Sequence, residues 1–439
     1  MNLIVSLFKQ VRKRRSLRWA MNCLWLLLFI AVLAPLLANE KPLIMKYKNN
    51  WCFPAAWDMN PFASKNQYIL KDKNGLITKL QPDVCDWKKL EYEFVVWCFI
   101  PYSPGKSDYA NANFKAPMEA QKNSQATSLP LRFWHFLGTG ARGEDILAGM
   151  IHGCRISMGI GIFSMCMAAC IGVLLGALAG YFGDDTFQIS KASAIGIIPG
   201  LLLGFFYGFT CRSIEIHEAF LSSATLGWLQ LLLSCCIFIF VVGVCIILCK
   251  TIEKTGIGTK TIAIPLDSFI SRSIDLLISL PAFIVLISLS ALTQPSALNL
   301  MLLIALTSWT GIARLTRAEF LRIKQLEYIQ AAKSLGYGHR RILLQHGLRN
   351  AIAPAIVAIA FGIAGCILVE SSLSFLGIGL PIDTVSWGSM LSLGRTQFSA
   401  WWLSVFPGSA IFLCVICFNY LGDALRELLN NTSITDVYN

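Results

Sequence analysis

Residues 297–312, 313–350 and 351–369 read ALNLMLLIALTSWTGI, ARLTRAEFLRIKQLEYIQAAKSLGYGHRRILLQHGLRN and AIAPAIVAIAFGIAGCILV. Two apolar runs flank a short segment that holds eight Lys or Arg residues. Lipid offers no partner to an open backbone N–H or C=O, so apolar runs of this kind are read as helical spans. The basic, amphipathic segment between them then lies at the cytoplasmic surface, where positive residues are retained.

The same grammar extends in both directions. Further apolar runs occupy 19–38, 156–182, 193–211, 226–249, 274–292 and 401–421, which predicts an all-α polytopic membrane protein of about eight transmembrane helices. Only 14% of the residues are charged and 55% are hydrophobic, against about 25% charged in a soluble chain, so a soluble globular fold is excluded. Pro199 and Pro281 fall inside apolar runs and predict kinks or re-entrant turns. The basic residues before residue 19 predict an uncleaved anchor with its N-terminus inside. On that orientation the short cytoplasmic pieces hold twenty Lys and Arg and the short external loops only two, Arg212 and Arg395. This asymmetry predicts both termini in the cytoplasm. Residues 39–155 become an external segment long enough for a small core; the alternative is a loop draped over the membrane face.

The net charge of +12 does not point to nucleic acid, because the basic residues sit in short loops and form no stripe on a soluble domain. Most of the fifteen cysteines lie in apolar runs and act as small hydrophobes. Cys414 and Cys417 have redox or zinc spacing but no second ligand pair. Cys52, Cys85 and Cys98 lie in the external segment, where one disulfide among them is allowed.

Catalytic motifs are missing. Gly105, Lys106 and Ser107 imitate the end of a P-loop, but Ile100 stands where the first glycine is required. The five histidines are scattered, and no serine–histidine or paired-aspartate arrangement for proteolysis lies within the spans. Two features of the spans stand out. Gly172, Gly176 and Gly180 recur every four residues and form one smooth stripe, suited to static packing or to a sliding contact. Glu370 is the acidic residue nearest the body of a span, expected half hydrated at the external end and a candidate to line a translocation path.

In the basic segment, Ala331 and Ala332 lie on a predicted helix that stops near Gly336. Taken by itself such a segment suits lipid headgroups or a partner's groove. The segment 314–350 resembles the EAA loop of ABC-importer permeases. LGTGARGEDILAGMIHGCRIS (137–157) and GYFG (180–183) resemble that family's second span and its approach; SWTGIARLTRAEFLR (308–322), ESSLSFLGIGLP (370–381) and SWGSMLSLGR (386–395) resemble its dipeptide and oligopeptide subfamily. LLANEKPLIMKYKNNWCFP (36–54) is similar to the oligopeptide permease type linked to uptake of peptide-nucleotide antibiotics.

The resemblance implies one permease subunit of a peptide importer in the bacterial inner membrane. Its implied partners are a second, different permease, two ATP-binding subunits and an external peptide-binding protein. No cofactor is bound by this chain, since ATP and Mg belong to the ATPase subunits. It also implies a coupling helix seated in an ATPase cleft, with Glu327, Gln330, Ala331, Ala332, Gly336, Arg340 and Arg341 at the docking surface. The implied organisation is an N-terminus and first helix (1–38), external domain (39–155), permease domain (156–422) and tail (423–439). Three departures stand out: Gln330 replaces a glutamate, His346-Gly347-Leu348-Arg349 lacks the usual isoleucine and proline, and 184–265 is an insertion expected to be a helical hairpin. The rivals are a membrane-anchored protein whose external domain is a sensor or enzyme, and an ion-driven transporter; neither finds its constellation here.

Overall fold

The computed structural model describes residues 14–47, 50–57, 68–71, 77–80, 87–89, 92–119, 121, 130–186, 188–253 and 261–435. Its long helices are α1 (Arg15–Leu37), α2 (Ile146–Phe182), α3 (Lys191–Phe205), α4 (Ser213–Ser222), α5 (Ala224–Glu253), α6 (Leu266–Ser279), α7 (Ala282–Ala291), α8 (Ala297–Ile323), α9 (Glu327–Ser334), α10 (Leu348–Phe375), α11 (Trp387–Thr396) and α12 (Trp402–Thr435). Among the described residues, six helical stretches are long and apolar enough to span a membrane, or seven if α6 and α7 are one broken span. The expected eight are reduced in two places. The 274–292 run is bent by 84° where Pro281 interrupts the helix. In the 193–211 run only Pro199–Thr210 qualifies, as a short apolar helix; Pro199 sits within α3.

Strands are small and peripheral. β1 (Ile44–Tyr47), β2 (Asn50–Cys52) and β5 (Phe94–Val96) form an antiparallel sheet in the order β2-β1-β5, with Met45 opposite Cys52 and Ile44 opposite Val96. β3 (Tyr68–Lys71) pairs with β4 (Ile77–Leu80). Cys52 and Cys98 are free thiols, and Cys98 donates to the Lys41 carbonyl at 3.3 Å; Cys85 lies outside the described residues.

The core of the bundle is built on α2 and α8, which share the most extensive helix contact in the chain, with α10, α6 and α7 packed around them. A second core joins α1, α2, α10 and α12 through Leu27, Met158, Ile367 and Phe418. α2 begins at Ile146, ten residues before the predicted span, because the Asp145 carboxylate caps it by accepting from the Ala148 N–H at 2.6 Å. The helix therefore extends into residues expected in the external segment. At this end Phe114, Ala116 and Leu137 pack with Ile146, Met390 and Trp402, so the segment preceding α2 shares a core with α11 and α12.

The insertion is a closed lobe. β6 (Gln188–Ser190) and β7 (Thr261–Ala263) pair at its base, with Ile189 opposite Ile262. Asp184 accepts from the Ser268 N–H at 2.9 Å and from its hydroxyl at 2.6 Å, across 84 positions. These two donors hold the Asp184 carboxyl below its ordinary range. Arg317 of α8 grips the neighbouring Asp267 with two N–H groups. Within the lobe, Gly196, Gly200, Gly204 and Gly208 recur every four residues and bring the first arm against Cys249, Val242, Phe238 and Ser234 of α5. The Trp228 indole N–H donates to Asn299 of α8 at 2.6 Å. Leu229, Leu232, Ile239, Phe240 and Ile247 of α5 face outward, as a lipid-facing helix requires.

Candidate docking loop and the seams behind it

The loop between α8 and α10 projects from the end of the bundle opposite Phe114, Ala116 and Leu137. α2 connects the two ends: its first residue packs under Met390 and Trp402, and its penultimate one, Tyr181, meets His339 with O and Nδ1 3.0 Å apart. At about 1.5 Å per residue these contacts are roughly 50 Å apart.

Every third or fourth residue of α9 turns inward. Ile329 and Ala332 pack with Ala177, Tyr181, Phe320, Ile323, Ile342 and Ala351 in a core of their own. Glu327, Gln330 and Ala331 are exposed, as are Gly336, Arg340 and Arg341. Ala332, expected on the docking surface together with Ala331, is buried. A helix turns about 100° per residue, so these neighbours cannot share one narrow face. Leu335 takes the outer position instead and is 73% exposed.

The helix stops where the sequence predicts. Gly336 has φ +77°, its N–H bonds to the Lys333 carbonyl at 3.0 Å, and the Tyr337 N–H bonds to the Ala332 carbonyl at 3.1 Å. This is a Schellman closure that needs a left-handed residue. The Arg341 guanidinium lies 4.7 Å from the centre of the Tyr337 ring, which stacks on His346. Burial, with Lys324 nearby, lowers the pKa of Lys333. The outward face therefore combines an apolar tip with fixed cations.

Two departures from the family pattern acquire local reasons. The Gln330 side-chain amide donates to the Gln325 carbonyl at 3.2 Å, which an acceptor-only carboxylate could not do. A Cβ on Gly347 would lie 2.6 Å from the Phe320 ring, so isoleucine cannot stand there beneath this phenylalanine. Residues Ile342–Gly347 form a π-helical stretch leading into α10.

The Gly172, Gly176 and Gly180 stripe lies on the backbone of α8. A Cβ at each would come within 2.7 Å of the Trp309 carbonyl, 2.4 Å of the Ala313 carbonyl and 2.6 Å of the Arg317 carbonyl. The seam ends at Phe320, directly behind α9, and so fixes where the loop emerges.

Glu370 is not half hydrated; it is fully buried. Its Oε1 accepts from the Ser374 hydroxyl at 2.8 Å and its Oε2 from Ser371 at 3.3 Å, with Ser157 of α2 and Ser386 completing the ring of hydroxyls. α2 and the start of α11 close over it, and that enclosure removes it from any path wall in this conformation.

A second buried polar cluster lies before α2. His135 is fully buried, with Nδ1 2.7 Å from the Asp145 carboxylate and Nε2 3.3 Å from that of Asp108. Its backbone is held on both sides by the Gln121 amide, and its ring stacks on Tyr102, over which lies Lys88. Burial alone would lower the His135 pKa, but hydrogen bonds to the two carboxylates and their charges outweigh it and raise the pKa above 6.5. No sequence spacing joins residues 108, 135 and 145, which meet only in three dimensions. Lys106, from the false P-loop, pairs with Glu40. No group of residues suited to a metal ion occurs among the described residues.

Residues 261–432 match the family described as the binding-protein-dependent transport system inner membrane component. The inner membrane ABC transporter permease protein YejE of Escherichia coli (strain K12) is 26% identical over 423 residues, covering 95% of this chain and 93% of its own. The peptidoglycan transport system permease protein YejE of Agrobacterium fabrum is 24% identical over 422 residues, 93% of this chain and 88% of its own. The probable D,D-dipeptide transport system permease protein DdpC of Escherichia coli is 36% identical over 165 residues, 37% of this chain and 55% of its own.

Proposed function

We propose that this chain, the permease subunit of an ABC importer, carries oligopeptides across the bacterial inner membrane as one half of a path completed by a different permease. It is a multi-pass transport component and not an enzyme, and its work depends on ATPase and substrate-binding partners. In our reading two ATP-binding subunits sit below the loop and a peptide-binding protein docks above residues 39–145. Both termini are cytoplasmic.

The observation that carries the reading is the split character of α9: Ile329 and Ala332 anchor it to the bundle, while Leu335, Ala331, Gln330 and the Arg340–Arg341 pair are left on an exposed face. A partner that closes on ATP would move this face, and α2, α8 and α10 would follow as rigid bodies. Selectivity resides mainly in the binding protein. The names of two relatives, for peptidoglycan and for D,D-dipeptide transport, make cell-wall peptides a cargo to test beside ordinary oligopeptides. Proteoliposomes holding the full complex, with labelled tetra-alanine and a cell-wall tetrapeptide as probes, should accumulate at least one of them only with ATP and the binding protein. Peptide entry that follows an ion gradient without ATP would refute the proposal.

A further inference from the structure

The ring around Glu370 lies where three elements meet. Ser371 and Ser374 belong to α10, Ser157 to α2, and Ser386 is the N-cap of α11. The hydroxyls also face the first turn of α11: Ser157 accepts from the Trp387 N–H at 3.2 Å, and Ser386 accepts from the Ser389 N–H at 3.1 Å. A hydroxyl has one proton to give and lone pairs to receive, so each can donate to the carboxyl while accepting from the helix end. The carboxyl thereby sits beside two serines that hold the first turn of α11.

The seat of α11 is tight for an independent reason. A Cβ on Gly388 would lie 2.6 Å from the Ser371 carbonyl, and one on Gly153 would lie 2.8 Å from the Trp387 ring. On its other side α11 shares Met390 with the core that holds Phe114, Ala116 and Leu137. α10 and the turns before it run from His339 to Phe375, placing Glu370 roughly 45 Å along the helix from the docking loop.

We propose that Glu370 is a positioning residue for transport: it locks the first turn of α11 to α2 and α10, so that movement of α10 at the docking loop reaches α11 and the segment before α2. This rests on the permease reading given above. The carboxyl accepts from Ser374 and Ser371 with its two oxygens, and glutamine, of the same shape, keeps one acceptor and puts an amide NH2 in place of the other. Mere space-filling would therefore leave Glu370→Gln normal, whereas the positioning role would not.

The test uses the reconstituted full complex and reads labelled tetrapeptide uptake per ATP hydrolysed, beside the yield of assembled complex. Glu370→Gln should lower the ratio about tenfold, with assembly within about twofold of wild type, because one of two buried acceptor oxygens becomes a donor and the hydroxyls around it must turn. Ser157→Ala, which removes one hydroxyl and no charge, should lower it by a smaller factor of about three. Wild-type ratios in both variants would overturn the inference while leaving the permease reading intact. Uptake and ATP hydrolysis falling together with assembly, at an unchanged ratio, would also overturn it, since that marks a purely structural role. A wild-type complex lacking ATP-dependent uptake would overturn both readings.

Discussion

Gly176→Leu should destabilise the bundle by about 3 kcal/mol or more, at or beyond the upper end of ordinary overpacking costs. A Cβ at Gly176 would lie 2.4 Å from the Ala313 carbonyl and 2.9 Å from the Thr316 Cβ. The first obstacle is backbone, which cannot rotate away as a side chain can, so α2 and α8 must separate along the whole seam. That seam carries the largest helix contact in the chain and ends behind the docking loop. The thermal midpoint of the purified protein in detergent should fall sharply, and peptide uptake should vanish. Gly159 lies on the same helix with nothing within 4 Å of its Cβ position, so Gly159→Leu should keep a near wild-type midpoint. Equal midpoints for the two variants would remove the seam from the account.

His135→Ala should cost the segment before α2 about 3–5 kcal/mol, the usual penalty for leaving buried charge without its partner. The ring is fully enclosed between the carboxylates of Asp145 and Asp108. Asp145 also caps α2 and Asp108 caps the turn at Tyr109–Asn111, so losing the imidazole disturbs two helix starts at once. The pH dependence has a definite sign. The raised His135 pKa contributes stability fully present below 6.5 and lost as pH rises through the higher folded value. Asp108, which burial alone would raise, is lowered on balance by His135, Asn111 and the Lys88 charge. Its contribution is present above 3.8 and lost as pH falls through the lower folded value. Protection of this segment from limited proteolysis should therefore be greatest between about pH 4 and 6.5 and decline on the alkaline side. A variant that lacks His135 and keeps the same alkaline decline would show that another group is responsible.

Periodic features of the spans were legible because they depend on one helix at a time. The four-residue glycine stripe needed only sequence spacing, and its partner surface followed from the fold. The same spacing at Gly196, Gly200, Gly204 and Gly208 is equally visible in the sequence, while the surface it meets on α5 is set by the fold. Pro281 announced the break before α7. Ala332 shows where spacing alone fell short: small size suggested access, but the side that faces the bundle was set by Ile329 and Phe320. Glu370 was picked out as an acid in an apolar context, while its serine ring draws on residues 157, 371, 374 and 386, which no local pattern connects. His135 was illegible for the same reason. The closed base of the insertion depends on Asp184 reaching Ser268, a contact that the two arms of the lobe bring about.

Single-cysteine cross-linking from the docking loop to the ATPase subunit, in membranes with and without ATP, tests the central claim most directly. Native cysteines are first replaced where they react. Ala331→Cys and Leu335→Cys, both on the exposed face, should cross-link efficiently and change in yield with ATP, while Ala332→Cys, turned into the bundle, should not. No cross-link from positions 331, 335, 340 or 341 in the assembled complex, or equal yields from 331 and 332, would contradict the account.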